Sequence, residues 1–349
     1  MNKVDIDAII GDLIGSGICR KSEVVQTLWS GYGEISRFSV GPKLSASPSS
    51  TQSFIVKTIV PPENIHHPRG WANEISHKRK LRSYEVETNF YRNWAQQCDD
   101  QCRVPKLLAE YGFSGAPQEQ SRSNNIKMII MSDLDADGFD NRADTLTVKQ
   151  TKVVLGWLAH FHAKFIELDD TKARHDLWPI GSYWHLETRK QEFDAMPDSS
   201  LKLLAEKIDK LLNNCKYKTI IHGDAKVANF CFNADYTDVA AVDFQYVGSG
   251  IGVKDVIYLL GSCLTESQLV NSFDTLMNEY FQSLTLAIQL YHPDLNAKSI
   301  VDEWLDLVDI AWADFERFLV GWAPSHPKRN GFSQTITDRA LAQIIDNNL

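Results

Sequence analysis

Hydrophobic periodicity changes character once along this chain, near residue 132, and that change restricts the folds open to it. Before it, short stretches alternate as strands do. Residues 24–29 and 35–40 flank Gly31-Tyr32-Gly33, residues 53–60 form a third run stopped by Pro61-Pro62, and residues 127–131 form another. One helix interrupts them at 79–94, with Leu81, Tyr84, Phe90, Tyr91 and Trp94 at helical spacing. A polar link at 45–52 carries no core material. After the acidic turn at 133–138, helical periods dominate. Residues 146–165 place Val154, Leu158, Phe161 and Phe165 on one stripe, and further helical stretches fall at 183–194 and 199–214. Short strands at 217–221, 230–233 and 238–244 precede about a hundred mostly helical residues. The expectation is an α+β fold, with a small β-rich lobe over 1–132 and a larger, mainly helical lobe over 133–349.

The 349 residues suit two lobes and bury enough surface to fold without disulfide or metal staples. With 43% hydrophobic and 23% charged residues, collagen-like and largely disordered classes are excluded. The balance of 36 basic against 45 acidic residues gives −9, so no nucleic-acid partner is expected. Cys19, Cys98, Cys102, Cys215, Cys231 and Cys263 form no C-x-x-C pair. Acids interrupt the first residues where a secretory signal needs an apolar core, and no run of ~18 apolar residues follows. A cytoplasmic protein without membrane insertion is expected; nothing in the sequence bears on oligomeric state.

Chemistry concentrates in one segment. His222-Gly223-Asp224 leads to Asn229 in a loop between two strands, and Asp243-Phe244-Gln245 ends the next strand. Phosphoryl transfer needs a hydroxyl positioned by a carboxylate, and a divalent ion that neutralises phosphate charge. A hard ion such as Mg²⁺ takes oxygen ligands of the kind Asn and Asp supply.

These motifs resemble the aminoglycoside phosphotransferase and choline kinase-like superfamily, relatives of protein kinases. Asp224 to Asn229 matches its H-G-D-x-x-x-x-N loop. The Asp243-Phe244-Gln245 form, with the glycines that follow, is most similar to the ecdysteroid kinase-like branch. The resemblance implies a bilobal, protein-kinase-like fold with a five-stranded first lobe and ATP held between the lobes. It implies Asp224 as the base that orients a small-molecule hydroxyl, and Asn229 and Asp243 as ligands of Mg²⁺. Lys57, mid-strand, would contact the α- and β-phosphates, and Glu87 in Glu87-Thr-Asn-Phe90-Tyr91 would be its partner, with Glu85 as fallback. Met131-Ser132-Asp133-Leu134 would be the hinge whose backbone, at Met131 and Asp133, meets adenine; Ser132 departs from the usual Glu. Asp255 resembles the aspartate that braces the catalytic loop.

Other features carry two readings. Gly31 and Gly33 let backbone N–H groups approach phosphate, or make a plain hairpin turn. Lys226 is either a cation that neutralises the transition state, the reading adopted, or a solvated loop lysine. The glycines at 248, 250 and 252 imitate a dinucleotide fingerprint, but the third comes one position early. His160 and His162, two apart on a helix, face different ways, so His162 reads as a satisfied core residue. The acids at 133, 135, 137, 140 and 144 would attract a cationic acceptor or form a solvated turn. Trp178, Tyr183, Trp184, Trp304, Trp312 and Trp322 would line an acceptor pocket or pack the helices, and the tail at 321–328 would border the acceptor. A protein kinase would need a peptide-docking segment after Asp243, for which about a dozen residues leave no room. A nucleotide-binding pseudokinase should lack one of Asp224, Asn229 and Asp243, and all three are present.

Overall fold

Alternation along β3 explains how the first unit is layered. In the computed structural model, which describes residues 5–15, 19–40, 53–62, 74–113, 125–166 and 174–346, this unit comprises Met1–Gln96 and Pro105–Asp140. The polar link at 45–52 lies outside the described residues. Strands β1 (Cys19–Thr27), β2 (Gly33–Val40), β3 (Ser53–Ile59), β4 (Leu107–Tyr111) and β5 (Lys127–Ser132) form one antiparallel sheet in the order β1-β2-β3-β5-β4. Phe54 and Val56 of β3 lie opposite Phe38 and Ile130, and with Ile10 and Met128 they build one apolar cluster. Ile10 belongs to α1 (Ile6–Ile14), capped by Asp5 and closed by Gly15 in the left-handed conformation. Period 2 turns Lys57 to the opposite face, where it meets helix α2 (Glu74–Asn93).

Several boundaries differ from the sequence reading. β1 starts at Cys19 and ends at Thr27, because residues 29–31 form a 3₁₀ turn with Ser30 at φ 59°. It is an edge strand, exposed from Arg20 onward, so burial imposes no alternation on it. α1 and β4 had no place in that reading; both are short.

The second unit, Gln97–Val104 with Asn141–Leu349, is mostly helical. α3 (Val148–Lys164) opens with a capping box of Thr147 and Gln150. Residues 183–194, expected as a helix, are helical only from Glu187, as a 3₁₀ turn (Glu187–Arg189) followed by the short α4 (Lys190–Asp194), and form turns before it. Side chains hold that backbone away from helical geometry: Ser182 Oγ accepts the Trp184 N–H, and Arg189 Nε donates to the Tyr183 carbonyl. The stretch at 199–214 divides into α5 (Ser200–Leu203) and α6 (Ala205–Asn213).

Four strands of three residues follow: β6 (Thr219–Ile221), β7 (Phe230–Phe232), β8 (Val239–Ala241) and β9 (Gly248–Gly250). β6 pairs with β9, and β7 with β8. The glycine-rich imitation of a nucleotide fingerprint is therefore a strand beside β6. Helices α7 (Val253–Cys263), α8 (Glu266–Tyr291), α9 (Ala297–Asp306), α10 (Val308–Trp322) and α11 (Gly331–Asp346) complete the unit. α10, buried on nearly every side, is its central post. The fold class is α+β, as expected. Among the described residues no helix is long and apolar enough to cross a membrane.

Candidate active site

The loop from His222 to Asn229 is held from beneath by one carboxylate. Asp255, in the first turn of α7 and fully buried, accepts the His222 N–H at 2.6 Å and the Gly223 N–H at 2.9 Å. Its Oδ2 also meets His162 Nε2 at 3.1 Å, and His162 Nδ1 meets the Tyr280 hydroxyl at 2.9 Å. A carboxylate only accepts, so the network assigns the proton to Nε2 and makes Tyr280 the donor to Nδ1. Both histidine nitrogens are thus satisfied, as expected of a core residue. Gly223 has φ +77°, and a Cβ there would stand 2.1 Å from the Tyr246 carbonyl oxygen. Only glycine fits.

His222 braces the same loop from within. Its Nε2 donates to the Val242 carbonyl at 3.0 Å, and its Nδ1 accepts the Asp224 N–H at 3.3 Å. Both ring nitrogens are occupied, which leaves no proton to exchange with a substrate.

Asp224, Lys226, Asn229 and Asp243 stand together around this loop. Asp224 is buried; its Oδ2 accepts from Lys226 Nζ at 3.0 Å and from Asn229 Nδ2 at 3.1 Å. Its Oδ1 is also buried and has no hydrogen-bond partner among the described residues. Such an orphan is uncommon, and a buried acceptor left unpaired costs about 1–3 kcal/mol. Asn229 also donates to the Asp224 carbonyl at 2.8 Å, so its amide nitrogen faces Asp224 and its Oδ1 has no protein partner among the described residues.

The β7–β8 hairpin brings Asp243 to Asn229. Phe230 pairs with Ala241, and one step outward the Val242 N–H donates to the Asn229 carbonyl at 2.9 Å. Asp243 does not close the strand as expected; it follows β8 at φ +68°, a strained conformation for a residue with a Cβ. Gln245 Nε2 donates to its Oδ1. Burial disfavours the charge on the partly exposed Lys226, but Asp224 and Asp243 outweigh it and raise the ammonium pKa. The oxygens of Asn229 and Asp243 form a donor set that fits a hard divalent cation.

The remaining predicted residues lie in the first unit. Lys57 Nζ meets Glu87 Oε2 at 2.6 Å, and both side chains are 2% exposed. Glu85, the fallback, points elsewhere and meets Lys127 at 3.3 Å near the surface. Gly33 has φ +132°, and a Cβ would stand 2.0 Å from the Thr58 carbonyl; the close approach to β3 alone demands glycine. Gly31 (φ +73°) faces open space. Met131 is buried in β5 opposite Ile55 and Leu107. The Asp133 carboxylate accepts from Arg37 Nε at 2.6 Å and Ser53 Oγ at 2.7 Å, and its carbonyl accepts the Asp137 N–H at 3.2 Å. Arg37 also pairs with Asp135. The acidic turn is thus partly neutralised from β2.

Two side chains here, Tyr258 and Arg189, escaped the sequence reading, and a third, Lys328, ends the tail expected to border the acceptor. Tyr258 lies on α7, three residues past Asp255 and so on the same face, a signal that was available. Burial, and after it the Asp224 charge, raises its phenol well above the ordinary value. Arg189 is buried with its guanidinium 3.9 Å from the centre of the Tyr183 ring. Lys328, after α10, stands 5.5 Å from the Tyr258 ring centre. Most of the tryptophans pack and donate: Trp184 to Asp314, Trp304 to the Tyr217 carbonyl, Trp312 to Ser333, and Trp178 to the Gln245 carbonyl.

The model of the ecdysteroid kinase-like family matches residues 32–177 and 179–292. The chain belongs to that family. No curated protein matches it. Among solved structures, a choline kinase from Cryptosporidium parvum Iowa II is similar, with a TM-score of 0.50 at 10% identity over 99% of this chain and 97% of that one. A macrolide 2′-phosphotransferase from Brachybacterium faecium matches at a TM-score of 0.46 and 11% identity over 98% of each chain. A Plasmodium vivax ethanolamine kinase matches at 0.44 and 10%, over 97% of this chain and 85% of that one. At such identities the likeness is one of fold, the kinase-like α+β fold expected from the motifs.

Proposed function

We propose that this member of the ecdysteroid kinase-like family is a phosphotransferase that moves the γ-phosphoryl group of Mg·ATP to a hydroxyl of a small molecule. The observation that carries this reading is the Asp224 carboxylate, fixed through Oδ2 by Lys226 and Asn229 while buried Oδ1 has no partner among the described residues. An acceptor O–H donating to Oδ1 would satisfy that atom and be aimed by it. As the acceptor oxygen bonds to the γ-phosphorus and the bond to the β-phosphate oxygen breaks, its proton passes to Asp224 and ADP departs. Lys226 neutralises charge on the transferring group. Asn229 Oδ1 and Asp243 would hold Mg²⁺, which when bound offsets the phosphate charge.

The first lobe, 1–132, serves as the nucleotide-binding part in this reading. Lys57, held by Glu87, takes the α- and β-phosphates. The backbone at Gly31 and Gly33 approaches phosphate, and the backbone at Met131 and Asp133 meets adenine. The second lobe, 133–349, binds the acceptor. The cytoplasm, where ATP is supplied, is the compartment this chemistry suits.

The test is a γ-phosphate transfer screen against amines, aminosugars, choline-like alcohols, sterols and nucleosides, run beside Asp224→Ala. The wild type should phosphorylate at least one class, and the variant should lose about 10²–10⁴-fold in rate. Its affinity for Mg·ATP, read by calorimetry, should stay within about threefold. Undiminished turnover in the variant removes Asp224 from the mechanism. Mg·ATP binding without transfer to any acceptor makes the protein a nucleotide-binding module instead.

A further inference from the structure

We propose that Lys328 is a phosphoryl-binding residue, its ammonium joining that of Lys226 to hold the phosphate ester formed at Asp224. The inference rests on the phosphotransferase reading of Asp224 and extends it to a residue about a hundred positions away in sequence.

The segment that carries Lys328 is held in place. Arg329 Nε donates to Glu316 Oε1 at 2.7 Å, and Ser333 Oγ donates to Glu316 Oε2 at 3.0 Å. The Lys328 N–H donates to His326 Nδ1 at 3.2 Å, and the Arg329 N–H to the His326 carbonyl at 3.0 Å. These bonds fix the backbone on both sides of Lys328, so its side chain is presented from a stable base.

That side chain reaches the site through Tyr258. Nζ lies 5.5 Å from the centre of the Tyr258 ring, within the range of a cation–π contact. Tyr258 shares the face of α7 with Asp255, which anchors His222 and Gly223. Asp224 and Lys226 both act electrostatically on Lys328. No carboxylate among the described residues comes within ion-pair distance of its ammonium.

Two ammonium groups therefore act at one carboxylate. Lys226 is already paired with Asp224, so Lys328 is positive charge in surplus, partly buried against Tyr258 and within electrostatic reach of Asp224. A surplus cation in a partly desolvated place is stabilised by an anion. The anion that the proposed reaction delivers to this spot is the phosphoryl group.

The groups facing Lys328 also govern its protonation. Burial is the largest influence and lowers its pKa; Cys263 and Asp224 raise it and Lys226 lowers it, with a net result of about 8. His326 on the same segment is also electrostatically coupled to it. The ammonium is charged below that pH and loses its proton above it.

Calorimetry on the full chain tests this with phenyl phosphate as the ester, phenylacetate as a carboxylate of similar shape, and Mg·ADP as the control for folding. Lys328→Met should weaken phenyl phosphate about tenfold or more, the scale of one lost charge-assisted bond. Lys328→Arg should stay within about threefold of the wild type, and Mg·ADP affinity should not change. Wild-type affinity should fall as pH rises past about 8, while the Arg variant holds it. Equal phenyl phosphate binding by wild type and Lys328→Met overturns the proposal, as does no binding by the wild type. Phenylacetate bound as tightly, with the same dependence on Lys328, overturns it in favour of an acidic group on the acceptor. Ester binding that depends on Lys328 in a protein that transfers no phosphate would leave the anion site standing and remove the phosphotransferase reading. Transfer with ester binding indifferent to Lys328 would do the reverse.

Discussion

Replacing Asp255 by Asn changes one atom and should loosen the loop that carries Asp224. The buried carboxylate accepts three donors: the His222 N–H at 2.6 Å and His162 Nε2–H at 3.1 Å on Oδ2, and the Gly223 N–H at 2.9 Å on Oδ1. An asparagine that keeps its oxygen at the Oδ2 position retains two of these bonds. Its NH₂ then faces the Gly223 N–H, donor against donor. The change removes one hydrogen bond to a charged group, about 1.5–3 kcal/mol, and leaves a buried N–H unsatisfied, about 1–3 kcal/mol. These overlap, and about 3 kcal/mol is a fair total. Each 1.4 kcal/mol is tenfold in an equilibrium, so opening of the loop should become about 10²-fold more frequent. Hydrogen exchange read by mass spectrometry on a peptide spanning 219–229 measures this directly. Its exchange should accelerate by about that factor while a peptide from β3 stays unchanged. If the 219–229 peptide exchanges within about threefold of the wild type, Asp255 does not hold the loop.

Two further perturbations probe buried charge elsewhere. Lys57→Met removes the ammonium that faces the buried Glu87 carboxylate and should cost about 3–5 kcal/mol in denaturant unfolding. Adding Glu87→Leu should restore most of that stability without restoring affinity for Mg·ATP, and a double variant as unstable as the single would contradict the pairing. Asp314 is fully buried; burial raises its pKa, but Arg317 and then Lys254 outweigh it, and the net shift is downward from 3.8. Its ionised form therefore contributes stability above that ordinary value, and the contribution is lost as pH falls through the depressed one. Asp314→Asn should be less stable by about 3–5 kcal/mol at pH 7, with the gap to wild type closing on acidification towards pH 3. A gap that stays constant across that range would contradict the assignment.

The parts of the site legible in the sequence are those set by local geometry. Asn229 and Asp243 are fourteen residues apart, yet a short hairpin between them makes their neighbours partners. Period 2 along β3 separates Lys57 from Phe54 and Val56, and the helical period separates Glu87 from Glu85. The family and the kinase-like α+β class followed from the same motifs. What was not legible depends on contacts remote in sequence. Arg37 reaches Asp133 across 96 positions, so the acidic turn read as solvated or substrate-binding when it is partly an ion-pair cluster. The helix expected at 183–194 was broken by side-chain bonds to its own backbone, which periodicity does not register. Lys328 ends the tail expected to border the acceptor, but its contact with Tyr258, 70 positions earlier, has no local signal.

The charge of −9 illustrates the same division. A sum over the chain implies no attraction for polyanions, yet the side chains proposed to meet ATP include cations with assigned partners. Lys57 has Glu87 and Lys226 has Asp224. Pairs of this kind differ in what a ligand can do with them. Lys57–Glu87 is sealed at 2% exposure, so its geometry is fixed before any nucleotide arrives. Lys226 is 38% exposed and its partner has a second, unfilled oxygen. In the phosphotransferase reading, an acceptor hydroxyl on Oδ1 and a phosphoryl group on the ammonium would each draw one side of that pair away. Lys226 is then a cation held in place by the base until both substrates are present. Among the described residues Lys328 has no carboxylate to leave, which is why a phosphate ester rather than a rearranged salt bridge is the partner its position calls for.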